Sequence, residues 1–158
     1  MAQPVRTILV ALDLGSESAR VASWAETLAK AMGARVVALH VVVGLEDVVD
    51  FEFPYVSYEE DFADLNTKAA ASLERFAKEH LKGVTVTARN ADGKPARAIL
   101  HAAQEVAADL IVVGTHEGRF IQRAVYGSPA QQVILKTSVP VVAVPLGLGE
   151  EGAPGTAP

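Results

Sequence analysis

From Gly114 to Ser128 the chain reads Gly-Thr-His-Glu-Gly-Arg-Phe-Ile-Gln-Arg-Ala-Val-Tyr-Gly-Ser. The residue types at the two ends of this stretch are suited to holding a phosphate. Ser128 is a good helix N-cap, Pro129 fits the first helical position, and Gln131 completes a capping box. A helix that begins here offers backbone N–H groups and a partial positive charge to anionic oxygens. Gly114 and Gly127 let backbone come close to a ligand, and Arg119 and Arg123 bring positive charge. On these local features alone the alternative, an ordinary capped helix after a loop, has equal standing.

Other chemistry finds little support. The chain holds no G-x4-G-K-[ST] phosphate loop and no G-x-G-x-x-G after its first strand. His40, His80, His101 and His116 are not spaced as metal ligands. Without cysteine there is no disulfide, thiolate nucleophile or cysteine-based metal site. No Ser/His/Asp arrangement of the hydrolase type is present. His116 and Glu117 are the nearest candidates for a general base, so hydrolysis is expected to be slow at most.

The elements that must position these residues follow from hydropathy. Thr7 to Leu12 is an apolar run that reads as a strand buried on both faces. Glu17 to Met32 reads as a helix with Ala22, Ala25, Leu28, Ala29 and Met32 inward, ended by Gly33. Val36 to Val43 is a second buried strand. A long connection from Gly44 to Tyr58 carries Phe51, Phe53, Tyr55 and Tyr58 among acidic residues, and reads as a loop pinned by its aromatics, the alternative for the stretch 46–64 being a lid or partner surface. Glu59 to Lys82 is a helix with the stripe Phe62, Leu65, Ala69, Leu73 and Phe76.

Val84 to Arg89 is a third strand, and Asn90 to Lys94 a turn. A helix runs from Pro95 to about Ala107, and Asp109 to Gly114 is a fourth strand. Thr115 to Gly127 is a loop, Pro129 to Lys136 a short helix, and Pro140 to Val144 a fifth strand. Residues 1–145 form one domain, and the Gly/Pro-rich stretch 146–158 is expected to be a flexible tail.

Strands that alternate with helices imply right-handed crossovers and a single doubly wound, Rossmann-like α/β domain. Ligands of such sheets sit beyond the carboxyl ends of the strands, where strand order reverses. With the first strand central, Ala11-Leu12-Asp13 and the segment from Gly114 meet in one crevice.

Composition narrows the function class. The net charge is −5, which argues against nucleic acid as the main partner. No Lys or Arg occurs between Arg35 and Lys68, a gap that holds eight acidic residues, so the rest of the chain carries about +3. A phosphate ligand is repelled by the acidic stretch and not by the remainder. No apolar run of membrane-spanning length occurs, and Met1 to Thr7 has no secretory character. A cytoplasmic location is expected.

Val-Gly-Thr-His at 113–116, Gly-Ser at 127–128 and Val-Pro-Val-Val-Ala-Val-Pro at 139–145 together resemble the universal stress protein family. Ile-Leu-Val-Ala-Leu-Asp at 8–13, Leu-His-Val-Val at 39–42 and Gly-Lys-Pro-Ala-Arg-Ala-Ile at 93–99 resemble it as well. The resemblance spans roughly residues 5 to 145. It implies a five-stranded parallel sheet in the order 3-2-1-4-5, homodimers and, in one subclass, bound ATP held by G-x2-G-x9-G-[ST].

Gly114 and Gly127-Ser128 match the outer positions of that motif. The middle glycine is replaced by Glu117, and Gly118 follows one place later. A carboxylate close to phosphate oxygens costs on the order of 1 kcal/mol or more. Turned outward, with Gly118 giving the turn its freedom, Glu117 is harmless, and with a bound Mg²⁺ it is an asset.

By the same resemblance Asp13 is the family acid beside the nucleoside. Ala11, Leu12 and Val41 line the base pocket, Arg123 is the loop cation, and Ser128 and Pro129 open the phosphate-binding helix. Asp13-Leu14-Gly15-Ser16 is one residue longer than the family's common Asp-Gly-Ser. Against these roles stand a turn or cap role for Asp13, plain core for Val41 and a solvated charge for Arg123.

In the implied order the fifth strand is at an edge. An apolar edge is an association hazard unless paired, and a two-fold partner that adds the same strand antiparallel closes the assembly. A homodimer through Val139–Pro145 is therefore expected. The sequence thus points to a stress-response regulator that binds an adenine nucleotide, ATP with Mg²⁺, and signals through a protein partner. The competing expectation is a homodimeric interaction module of the same family that has lost the nucleotide.

Overall fold

The computed structural model describes residues 3–43, 58–116 and 128–147. Nine elements alternate along the described chain. They are β1 (Thr7–Ala11), α1 (Ser18–Met32), β2 (Arg35–Val42), α2 (Tyr58–His80), β3 (Val86–Asp92), α3 (Pro95–Glu105), β4 (Leu110–His116), α4 (Pro129–Lys136) and β5 (Val141–Leu146). The strands form one sheet in the order β3-β2-β1-β4-β5, and every pairing is parallel. The order reverses at β1, as the sequence implies.

The apolar runs have the expected cause. Side chains alternate across a strand, and helices cover both faces. Ile8, Val10, Val36, Ala38 and Val112 pack on one side with Val21, Ala25 and Ala29 of α1 and Leu73 and Ala77 of α2. Leu9, Val37, Leu39, Ile111 and Val113 pack on the other with Ile99, Ala102 and Ala103 of α3 and Val133 of α4. Each Val, Leu or Ile among them contributes about 1.5–3 kcal/mol when fully buried. The two layers therefore hold the sheet between them.

Helix ends follow local chemistry. Gly33 ends α1 at φ 64°, and Ala34 N–H donates to Ala29 C=O at 2.9 Å. After α3 the same left-handed turn falls on Ala107, at φ 50°, with Ala108 N–H on Ala103 C=O at 2.9 Å. Without a glycine there, this stop is not visible in the sequence.

Several boundaries differ from the sequence reading. β3 lies at Val86–Asp92 and takes in Asn90, Ala91 and Asp92, expected in a turn, because β2 continues to pair with them as far as Val42↔Asp92. β4 continues through Thr115 and His116, expected in a loop, because they pair with Pro145 and Leu146. β5 accordingly includes Leu146, expected in the tail, and this residue is 5% exposed. Met32 and Leu65, both expected on inward stripes, are exposed. Met32 is the last residue of its helix, and Leu65 lies near the crevice described below. The aromatic-acidic connection before Tyr58 and the tail from residue 148 lie outside the described residues. Among the described residues no helix is long and apolar enough to cross a membrane.

Candidate functional site

The carboxyl end of the sheet opens into a cavity of about 680 Å³ at the reversal between β1 and β4. Its floor is the strand ends themselves. Ala11 and Leu12 come from β1 and its exit, Leu39 to Val42 from β2, and Val113 and Gly114 from β4. Leu65 and Ala69 of α2 form one wall, Pro95 and Ile99 of α3 another, and Ser128, Pro129 and Ala130 close the far side. The lining is mainly apolar, with a few polar groups at its rim. Its size is that of a typical small-molecule site, roughly 300–1,000 Å³.

Of the residues singled out in the sequence, Ala11, Leu12, Asp13, Val41, Gly114, Ser128 and Pro129 all line this cavity. Gly118, Arg123 and Gly127, with Glu117 and Arg119, lie outside the described residues. Ser18, His40, Leu65, Ala69 and Ile99 also line it, and the sequence reading passed over them as site residues. His40, inside Leu-His-Val-Val, and Ile99, at the end of Gly-Lys-Pro-Ala-Arg-Ala-Ile, carried a local signal. The others arrive from helices, and only the crossover connections bring them there.

Asp13 is committed to local structure. Its Oδ1 accepts from Gly15 N–H at 2.8 Å and from Ser18 Oγ at 2.7 Å. The first contact closes an Asx turn, and the second ties that turn to the first residue of α1. The extra residue of this turn is accommodated by Leu14 at φ 60°. A left-handed non-glycine residue costs roughly 1–2 kcal/mol. Leu14 packs against the core layer of α1 and α2, and this burial offsets the cost. The turn reading of Asp13 is thus realised, and the carboxylate stands at the cavity rim at the same time.

His40 stands beside it. Its Nδ1 lies 2.8 Å from Leu12 C=O, and a carbonyl only accepts, so Nδ1 carries the proton and donates. With Leu12 N–H on Leu39 C=O at 2.8 Å, this bond fixes the end of β1 to β2. Asp13 and His40 also line a second, smaller chamber of about 410 Å³, bounded by Ser72, Arg75, Phe76 and Glu79 of α2.

At the opposite rim α4 begins as the sequence predicts. Ser128 Oγ accepts from Gln131 N–H at 3.3 Å, and Gln131 Oε1 accepts from Ser128 N–H at 3.2 Å. Pro129 has no N–H, and Gln132 N–H is bonded to Ser128 C=O at 3.0 Å. The closed capping box therefore occupies backbone donors that a phosphate at this helix end would seek.

Gly114 has a packing role that the sequence reading did not foresee. A Cβ added there would stand 2.7 Å from Leu146 Cδ1 and 3.0 Å from Val21 Cγ2. Glycine lets α1 and the end of β5 close over β4. Among the described residues no group of three or more His, Asp or Glu side chains is placed to hold a metal ion.

A doubly wound parallel sheet with an apolar crevice at its order reversal defines a class of open α/β domains. Within that class the chain belongs to the universal stress protein family, whose model matches residues 4–145. It is 32% identical over 145 residues to the universal stress protein in the QAH/OAS sulfhydrylase 3′ region of Thermus aquaticus, covering 88% of this chain and 98% of that one. It is 30% identical over 144 residues to universal stress protein MJ0531 of Methanocaldococcus jannaschii, covering 88% and 81%. Among solved structures, the universal stress protein from Archaeoglobus fulgidus in complex with dAMP matches with a TM-score of 0.58 at 27% identity, covering 90% of this chain and 99% of that one.

Proposed function

We propose that this protein is a cytoplasmic stress-response regulator that binds an adenine nucleotide, ATP with Mg²⁺, in the crevice between β1 and β4. The observation that carries the reading is the convergence of Ala11, Asp13, Val41, Gly114 and Ser128 on one cavity of nucleotide size. The apolar surface of Ala11 and Val41 suits a base, the Asp13 carboxylate suits a nucleoside hydroxyl or amine, and the start of α4 suits phosphate oxygens once the Gln131 side chain gives up Ser128 N–H. The relative of known structure that holds dAMP supports an adenine nucleotide. Mg²⁺ typically enters such a site on the phosphates, with one or two carboxylates and water completing its shell. The proposed output is a conformational signal passed by a homodimer, paired through the Val139–Pro145 strand, to a protein partner. No chemical step is part of the proposal.

A second reading is favoured by one residue. Glu117 replaces the family's middle motif glycine and puts a carboxylate in the phosphate loop. On that reading the chain is an interaction module without nucleotide.

Calorimetric titration of nucleotide-stripped protein with ATP and Mg²⁺ separates the two. Micromolar or tighter binding, lost in Gly127→Asp, is the expected result. Binding that appears only in Glu117→Gly overturns the first reading in favour of the second.

A further inference from the structure

The sheet ends at β5, and the orientation of that strand's open edge can be read from one bond. Ile111 N–H donates to Pro140 C=O at 2.9 Å, and Ile111 is paired with Val141. Along a strand, successive residues turn their N–H and C=O groups to opposite sides. Val142 and Val144 therefore bond toward β4, as Pro140 does, while Val141, Ala143 and Pro145 face outward. Pro145, which has no N–H, occupies an outward position, where proline is tolerated. Its C=O accepts from Arg20 Nε of α1 at 3.0 Å. Among the described residues no strand pairs with this edge, so Val141 and Ala143 offer it their backbone groups.

α1 runs alongside. Arg20 reaches the carboxyl end of β5, and Val21 packs toward Gly114 and Leu146. Trp24 is one turn beyond Arg20 and three residues beyond Val21, on the flank of α1 turned to β5. Four helical residues advance about 6 Å, the length of roughly two strand residues, which sets Trp24 level with Ala143. Trp24 is 47% exposed, and Val142, on the same face of the sheet, is only partly buried. A single exposed apolar side chain needs no explanation. A half-exposed tryptophan beside an unpaired strand edge has one.

We infer that Trp24 is the apolar anchor of a two-fold interface with a second copy of this chain. The inference rests on the reading of β5 as the homodimer strand. A two-fold axis at Val142 places Val141 opposite the partner subunit's Ala143, so that all four outward N–H and C=O groups of each strand's pair are exchanged. Val142 then faces its own copy on the α1 side of the sheet, and the two Trp24 rings close over that pair. Strand pairing alone hides mainly backbone. The exposed halves of two tryptophans add about 200 Å² of mostly apolar area, toward the roughly 1,200 Å² of a stable interface.

Trp24 is the single tryptophan of the chain, so intrinsic fluorescence reports its burial directly. Sedimentation and emission spectra are followed together on dilution of the full chain. A dimer whose emission moves to longer wavelength as it dissociates is expected. Trp24→Glu should weaken dimerisation by about 30-fold or more and Trp24→Phe by much less, both with the parent's circular dichroism. Ala143→Pro, which removes an outward N–H and leaves the β4 ladder whole, should give monomers. A monomeric parent, or an Ala143→Pro protein that stays dimeric, overturns the strand reading and this inference with it. A dimer broken by Ala143→Pro, with unchanged Trp24 emission on dissociation or unchanged affinity in Trp24→Glu, overturns the role of Trp24 alone.

Discussion

The hydroxyl of Ser18 donates to Asp13 Oδ1 at 2.7 Å, joining the rim of the crevice to the first residue of α1. Ser18 is buried, at 2% exposure, and the same oxygen of Asp13 closes the turn onto Gly15. Ser18→Ala removes a donor from a charged acceptor and should cost about 1–2 kcal/mol, read as a lower urea midpoint with unchanged slope. Asp13→Asn keeps an oxygen acceptor for both donors and should cost less than Ser18→Ala. An Asn variant as unstable as Asp13→Ala would show that the charge, and not the turn, is what this position supplies.

Gly114 tests how much of the motif is packing. The space where its Cβ would stand is filled by Leu146 and Val21. Gly114→Ala should destabilise the fold by about 1–3 kcal/mol through overpacking. Leu146 is a flexible side chain at the end of β5, so Gly114→Ala combined with Leu146→Val should lose less than the sum of the two single changes. Chemical denaturation of the four proteins in that cycle measures the coupling. Strict additivity would place the stress elsewhere.

This glycine also shows how far the sequence reaches. The five strands and the α4 cap were legible because each rests on a local cause: an apolar run, a glycine stop, Ser128 with Gln131. Parallel pairing followed from the alternation of strands with helices, and the order 3-2-1-4-5 from the family resemblance. The floor of the crevice, Ala11 to Asp13 with Gly114, followed from the order reversal. The α2 wall did not, since Leu65 and Ala69 reach it through tertiary packing and look like an ordinary helix stripe in sequence. The ends of β3 and β4 were misjudged for a related reason. Asn90 and Asp92 have no strand preference of their own and are strand because β2 pairs with them, and Thr115 and His116, after Gly114, are strand because β5 does. Glu117, Gly118 and Arg123 lie outside the described residues.

Gln131 links helix stability to the proposed ligand. Its side chain occupies Ser128 N–H, a donor that a phosphate at the start of α4 would use. Gln131→Ala should lower helix stability by about 0.5 kcal/mol and, on the nucleotide reading, leave or raise affinity for ATP. Thermal unfolding with and without ATP checks both halves. A variant that loses stability and binding together would mean that the closed capping box is part of the bound state.

Asp109 should govern part of the acid limb of stability. Its Oδ2 accepts from the backbone N–H groups of Arg6 at 2.8 Å and Thr7 at 3.0 Å, across the amino end of the sheet. These two bonds, the Arg6 one first, hold the carboxyl below its ordinary value of 3.8 against the opposing effect of burial, with a smaller contribution from the Arg6 charge. A carboxyl whose folded value is depressed binds fewer protons folded than unfolded near its titration range. Its stabilisation is therefore present above the unfolded value and is lost as pH falls through the folded one. Asp109→Asn keeps an oxygen for the same N–H groups but cannot titrate. Urea midpoints should fall less steeply in the variant than in the parent as pH drops below about 4, and the two proteins should run parallel above about pH 6. Parallel curves throughout would mean that other carboxylates carry the acid transition.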